Sequence, residues 1–246
     1  MRCSSVLRQR RGVCPEPCHS HGADAVWQRA FAGDAMPRID RDPSGKPRIA
    51  IIGAGFAGIG LAIRLRQAGY RDILLYERAD SPGGTWRDNV YPGCACDVPA
   101  HLYSFSFAPN PHWSRKYAPQ PEIRAYLERC ARAFGILPRI RFGHDLREAR
   151  FDTARARWHL AFAGGSKAEA DFLVIARGQL SEPRLPDIPG RDSFAGTSFH
   201  SARWPADFDP AGKRIGVIGT GASAIQIVPA LAQVARSLTV FQRSPP

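Results

Sequence analysis

Over residues 47–246, short apolar runs alternate with stretches whose apolar positions recur at helical spacing. Ile49-Ala50-Ile51-Ile52 and Ile73-Leu74-Leu75-Tyr76 are the length of buried strands, and Ile59 to Gln67 between them has a helical period. Leu173-Val174-Ile175 and Ile215-Gly216-Val217-Ile218 predict further strands. A helix is predicted from about Ala222 to Val234, then a last strand Leu238-Thr239-Val240-Phe241. Strand–helix–strand order with continuous apolar strands predicts parallel sheet, hence an α/β fold.

Glycines punctuate this pattern at two strand–helix junctions. Gly53-Ala54-Gly55-Phe56-Ala57-Gly58 follows the first strand directly. Gly53 permits the tight turn, Gly55 lets backbone approach a pyrophosphate, and Gly58 lets the helix close on the strand. The helix N-terminus offers its free N–H groups to phosphate. The second strand ends in Glu77, about 20 residues on, where an acid would bond ribose hydroxyls. The second fingerprint, Gly219-Thr220-Gly221-Ala222-Ser223-Ala224, carries alanine at its third glycine, which the motif tolerates. The strand after it ends in Gln242-Arg243 rather than an acid, which suits a 2′-phosphate; a solvated loop arginine is the plainer reading of Arg243. Two such sites in one chain suggest two nucleotides exchanging electrons, a flavin and a nicotinamide.

Between the fingerprints lie Gly83-Gly84-Thr85-Trp86-Arg87-Asp88-Asn89-Val90-Tyr91-Pro92-Gly93-Cys94-Ala95-Cys96-Asp97 and Phe194-Ala195-Gly196-Thr197-Ser198-Phe199-His200-Ser201-Ala202-Arg203-Trp204-Pro205. Over about residues 47 to 246 the chain resembles the Baeyer–Villiger monooxygenases. The first segment is similar to their flavin signature, and the second to F-x-G-x-x-x-H-x-x-x-W-P. Asp97-Val98-Pro99, Leu102 to Phe107 and Tyr117 to Ile123 are similar as well. The resemblance implies two Rossmann-like dinucleotide-binding domains of three-layer α/β type, for FAD and NADP, the second truncated. Residues 46–182 would be the FAD domain, and 183–246 the interdomain link and the start of the NADP domain. It also implies NADPH reduction of FAD, capture of O2 as a flavin C4a-peroxide, and oxygen insertion beside a ketone or aldehyde carbonyl. In these terms Asp97 and Tyr103 are catalytic. Phe56, Ala57, Arg78, Gly84, Thr85, Trp86, Asp97, Tyr103 and Leu146 join Gly53, Gly55, Gly58 and Glu77 around FAD. Gly219, Thr220, Gly221, Ala222, Ser223, Gln226 and Arg243 hold NADP.

Plainer readings stand beside these. Trp86 and Trp204 fit core aromatics, Asp97 a turn acid before Pro99, and His200 a hydrogen-bonded structural histidine. Arg177 replaces the small Thr or Ser of the family; it would crowd the crossing between domains or point into solvent. By the same resemblance, the arginine that Asp97 would position lies beyond residue 246. The chain therefore reads as a partial, N-terminal portion, with an apolar face left uncovered and self-association to be expected.

Composition changes little. The 246 residues are 44% hydrophobic, in the globular range, and no apolar run reaches membrane-span length. The net charge of +12 is scattered without a basic stripe, which argues against nucleic acid. Six cysteines without framework spacing favour reduced thiols and a cytoplasmic setting. Residues 1–45 show no periodicity and read as a disordered extension or as sequence before a natural start at Met36. Cys14, Cys18, His19 and His21 are too cramped there for a zinc site, and no metal is expected. The alternatives are an N- or S-oxygenating flavin monooxygenase and a non-catalytic FAD-binding fragment. A disulfide reductase-like flavoprotein is disfavoured, since no spaced cysteine pair follows the first fingerprint.

Overall fold

A computed structural model describes residues 47–243. The readings made on residues 1–45, including Met36 and the cysteine–histidine group, lie outside the described residues. Four strands form a parallel sheet in the order β3-β2-β1-β7: β1 (Ile49–Ile52), β2 (Ile73–Tyr76), β3 (Ile140–Arg141) and β7 (Phe172–Ile175). β1 pairs with β2 from Ile49↔Ile73 to Ile52↔Tyr76, and with β7 from Ile49↔Phe172 to Ile52↔Ile175. Parallel neighbours require crossovers, and helix α1 (Phe56–Gln67) is the first. The sheet runs with the expected strands to the residue at β1 and β2.

The two faces of this sheet are covered differently. On one, α1 and α3 (Gln120–Ala133) bury Ile51, Ile59, Ile63, Ile73, Leu75, Ile123 and Leu127 almost completely. Each such side chain contributes about 1.5–3 kcal/mol. On the other lies an antiparallel meander, β4 (Leu146–Asp152), β5 (Arg157–Phe162) and β6 (Lys167–Ala170). Its Leu160, Phe162 and Ala170 form a second core with Ala50, Ile52 and Tyr76. The meander did not figure among the expected elements; it makes the third layer out of strands.

From Ala176 to Lys213 the chain crosses between the two halves through short turns, without strand. The second half then gives β8 (Arg214–Ile218), α4 (Ala222–Ala232) and β9 (Ser237–Phe241), with β8 and β9 parallel. Pro229 lies inside α4 and removes one of its hydrogen bonds. The short α2 (Thr85–Asp88) sits in the glycine-rich segment after β2.

Candidate dinucleotide site

The first fingerprint turns where β1 meets α1. Gly53 has φ +106°, and a Cβ there would stand 2.6 Å from Ala176 O, so the turn needs glycine twice over. A Cβ at Gly58 would overlap Gly53 O, which is why α1 can close on the strand only at glycine. Gly55 caps α1 without a side-chain hydrogen bond, leaving the first-turn N–H groups to an outside acceptor. Beside it lies Gly84, φ +54°; a Cβ built on Gly55 would be 3.6 Å from Gly84 Cα. Two strand-end loops thus meet at bare backbone, open to a flat or phosphorylated ligand.

Glu77 closes the floor of this cradle. It is buried, and its Oε2 accepts from Ala54 N–H at 2.9 Å while Oε1 accepts from Ala79 N–H at 3.1 Å and from Arg87 Nη1 at 3.0 Å. Three of about four acceptor positions are therefore used by protein, and one remains for a ribose hydroxyl. Arg87 is half of a network that the sequence reading left out. Its guanidinium also donates to Ser81 O at 2.7 Å and to Asp88 Oδ1 at 2.7 Å. Burial opposes its charge, but Asp88 and Glu77 outweigh that and hold its pKa above the ordinary arginine value.

Aromatic side chains build one wall. Trp86 Nε1 donates to Tyr103 Oη at 3.1 Å, with the rings edge-on at 5.5 Å, and Phe56 meets Tyr103 at 5.0 Å. Phe56, Trp86 and Tyr103 are thus brought together. Gln120, buried at the start of α3, donates to Trp86 O and fixes the α2 turn. Burial, ahead of neighbouring charges, raises the Tyr103 pKa. Thr85 and Ala57 are exposed, and Asp97 follows buried Cys96 with its own side chain exposed.

Other expected residues have tasks within the protein. Arg78 donates to Glu182 Oε1 and to Ser181 O, each at 2.5 Å, tying the end of β2 to the crossing segment. Arg177 points outward and pairs with the same Glu182 at 3.2 Å, so it does not crowd the crossing. Leu146 opens β4 and packs on the meander-side core. His200 Nδ1 accepts from Ala202 N–H at 3.0 Å, and Trp204 stacks edge-on with Phe199 at 5.0 Å and Phe208 at 5.6 Å. For these two the structural reading holds. Cys94, Cys96 and Cys130 are buried and unpaired.

The second fingerprint repeats the first turn: Gly219 also has φ +106°, and Gly221 caps α4 with no side-chain bond. Thr220 is half-buried, while Ala222 and Arg243 are exposed. Gln226 was expected at the nucleotide, but its amide is committed elsewhere: Nε2 donates to Ala95 O at 2.8 Å, and Oε1 accepts from Ala95 N–H at 3.2 Å and from Tyr91 Oη at 3.1 Å.

Comparison with known proteins places this geometry. A family model described as NAD(P)-binding Rossmann-like domain matches residues 51–119, and one described as L-lysine 6-monooxygenase/L-ornithine 5-monooxygenase matches residues 98–245. A Baeyer–Villiger monooxygenase of Streptomyces coelicolor is 56% identical over 198 residues, 80% of this chain and 38% of that one. A Baeyer–Villiger monooxygenase of Pseudomonas aeruginosa is 48% identical over 199 residues, again 38% of its length. The chain belongs to the Baeyer–Villiger monooxygenase family. Among solved family structures, OTEMO in complex with FAD and NADP superposes with a TM-score of 0.76 at 39% identity, covering 83% of this chain and 40% of that one. The chain therefore spans about two-fifths of the length of the Baeyer–Villiger relatives it matches. No helix among the described residues is long and apolar enough to cross a membrane.

Proposed function

We propose that the described residues form the FAD-holding unit and the opening part of the NADPH-holding unit of a Baeyer–Villiger monooxygenase. The observation that carries this is the meeting of Gly55 and Gly84 above buried Glu77, with the Trp86–Tyr103 pair alongside. The residues fit a flavin nucleotide. The uncapped α1 N-terminus suits its pyrophosphate, the remaining Glu77 acceptor its ribose, and the Gly83-Gly84 backbone its ring system. At the second site the uncapped α4 N-terminus and exposed Arg243 suit a 2′-phosphorylated nicotinamide nucleotide.

When bound, the flavin supplies the redox chemistry. Two electrons come from NADPH, one atom of O2 enters the ketone as an ester or lactone, and the other leaves as water. The protein's part is to hold and exclude. Trp86 and Tyr103 present an apolar wall with one shared hydrogen bond, and Arg87 holds the Glu77 side chain in its orientation. Asp97, exposed at the end of the signature segment, would supply a carboxylate near the flavin. The match to the L-lysine/L-ornithine family model supports a second reading, oxygenation at nitrogen.

The test is a visible spectrum after incubation with FAD and desalting, followed by NADPH without oxygen. Retained flavin that bleaches supports both nucleotide assignments; a colourless protein removes them from this chain. Given turnover in air, a cyclic ketone converted to lactone separates the leading reading from the second, for which a primary amine would be consumed.

A further inference from the structure

We infer that Gln226 is a positioning residue that locks the second glycine loop at a set distance from the flavin-side segment, rather than a ligand of the nicotinamide nucleotide. The inference rests on the nucleotide assignments proposed above for its consequence in catalysis, but not for the lock itself.

The lock is built along one stripe of α4. Ser223, Gln226, Ile227, Ala230 and Leu231 recur at i, i+3, i+4, i+7 and i+8, so they share a face. Ile227 and Leu231 are buried in the core of the first unit, whereas Ile225 on the opposite side is 66% exposed. The stripe therefore docks α4 on the first unit, and its polar end comes nearest to the Gly219–Gly221 loop.

At that end Gln226 grips Ala95 by both its N–H and its C=O, in the manner of a paired strand. The amide so used has a direction as well as a distance, since swapping its oxygen and nitrogen would break both bonds. Tyr91 adds a third bond to Oε1, and its pKa is pushed up to about 12, chiefly by burial. The backbone closes from the other side. Gly93 has φ +81°, and a Cβ there would stand 2.6 Å from Gln226 O and 3.6 Å from Ala230 Cβ. The docking is thus a backbone-to-backbone approach that admits only glycine. Ala95 in turn bridges Pro119, and Gln120 N donates to Cys94 O at 2.9 Å. Gln120 also holds Trp86. A continuous set of bonds runs from the second glycine loop's helix through Ala95 to the Trp86–Tyr103 wall. Hydride transfer needs the two rings near contact distance, so an amide that sets loop separation acts on rate rather than on affinity.

Hydrogen exchange on the chain as it stands tests the lock without cofactor. In Gln226→Ala, which removes all three side-chain hydrogen bonds, the α4 amides should lose protection by about tenfold or more, while β1 and α1 amides hold. Tyr91→Phe, which keeps the ring, should give a smaller loss, and the double variant less than the sum of the two. Unchanged α4 protection in Gln226→Ala would overturn the lock. On chain that retains FAD, anaerobic bleaching by NADPH should slow about tenfold or more at saturation. The half-saturating NADPH concentration should hold in the same variant. A raised half-saturation with an unchanged limiting rate would instead make Gln226 a nucleotide ligand. If the parent retains no flavin, it is the proposed function that fails, and exchange alone decides the lock.

Discussion

The two glycine loops have the same backbone and different surroundings. Gly53 and Gly219 share φ +106°, and each ends a short parallel strand before an uncapped helix. Around Gly53 the chain closes in: β1 is buried at every residue, and Ala176 O lies where a side chain would begin. A Cβ built on Gly219 would meet nothing within 4 Å among the described residues, and β8 alternates exposed and half-buried positions, with Ile218 64% exposed and Phe241 of β9 56% exposed. A parallel sheet is ordinarily covered on both faces, and β8–β9 has α4 on one. A fingerprint therefore specifies a turn by local sterics, but a site requires neighbouring strands to hold the turn in register.

The sharpest way to break the contrast is at the charges beneath each loop. Arg87→Ala leaves Glu77 buried without its guanidinium, which should cost about 3–5 kcal/mol of stability in urea unfolding. Arg243→Ala, exposed at the matching strand end, should cost less than about 0.5 kcal/mol. Comparable losses would mean that the first cradle is not organised by its ion pair. The glycines give the next contrast. Gly53→Ala and Gly219→Ala both incur the strain of a positive φ, about 1–3 kcal/mol. Only Gly53→Ala adds a clash with backbone, worth about 1–3 kcal/mol more. Hydrogen exchange of β1 and β8 amides reads the two losses separately. Third, the exposed apolar ends of β8 and β9 predict concentration-dependent association in sedimentation, which Ile218→Lys with Phe241→Ser should weaken several-fold. Phe162→Ser, in the meander-side core, should unfold the first unit instead.

The same contrast explains what was legible in the sequence. β1 and β2 were bounded to the residue, because apolar runs between a glycine turn and an acid leave little choice of register. The meander was missed although Ala163-Gly164-Gly165-Ser166 sits between β5 and β6, with Gly164 and Gly165 at positive φ. Its exposed face, rich in Arg147, Arg150 and Arg157, masked the alternation of Trp158, Leu160 and Phe162. Trp86, Tyr103 and Phe56 were picked out by their place in a signature, and they do meet. The contacts of Arg87 and Gln226 were not legible, because each bonds a partner distant in sequence, Glu77 or Ala95. Periodicity and spacing carry no trace of such pairs. Glu77 was placed rightly at its strand end, yet most of its bonding capacity turned out to serve the protein.

The smallest effect lies at high pH, and it divides the two regions by group. Burial raises the Tyr91 hydroxyl at the docking seam from 10.0 to about 12, and the Cys130 thiol in the first unit from 9.0 to about 11. The unfolded chain releases these protons first, so between about pH 9 and 12 the folded state binds more of them. The stability they contribute is present in full below pH 9 and is lost as pH rises through the folded values. The slope is at most about 1.4 kcal/mol per pH unit for each group. Cys130→Ala should flatten the onset of this loss in urea unfolding, from pH 9 upward. Tyr91→Phe should act from pH 10, and on α4 exchange more than on β1. A Tyr91→Phe protein whose α4 protection still falls with the parent's steepness above pH 10 would show that the seam does not open by ionisation of Tyr91. The alkaline loss would then belong to the first unit's core alone.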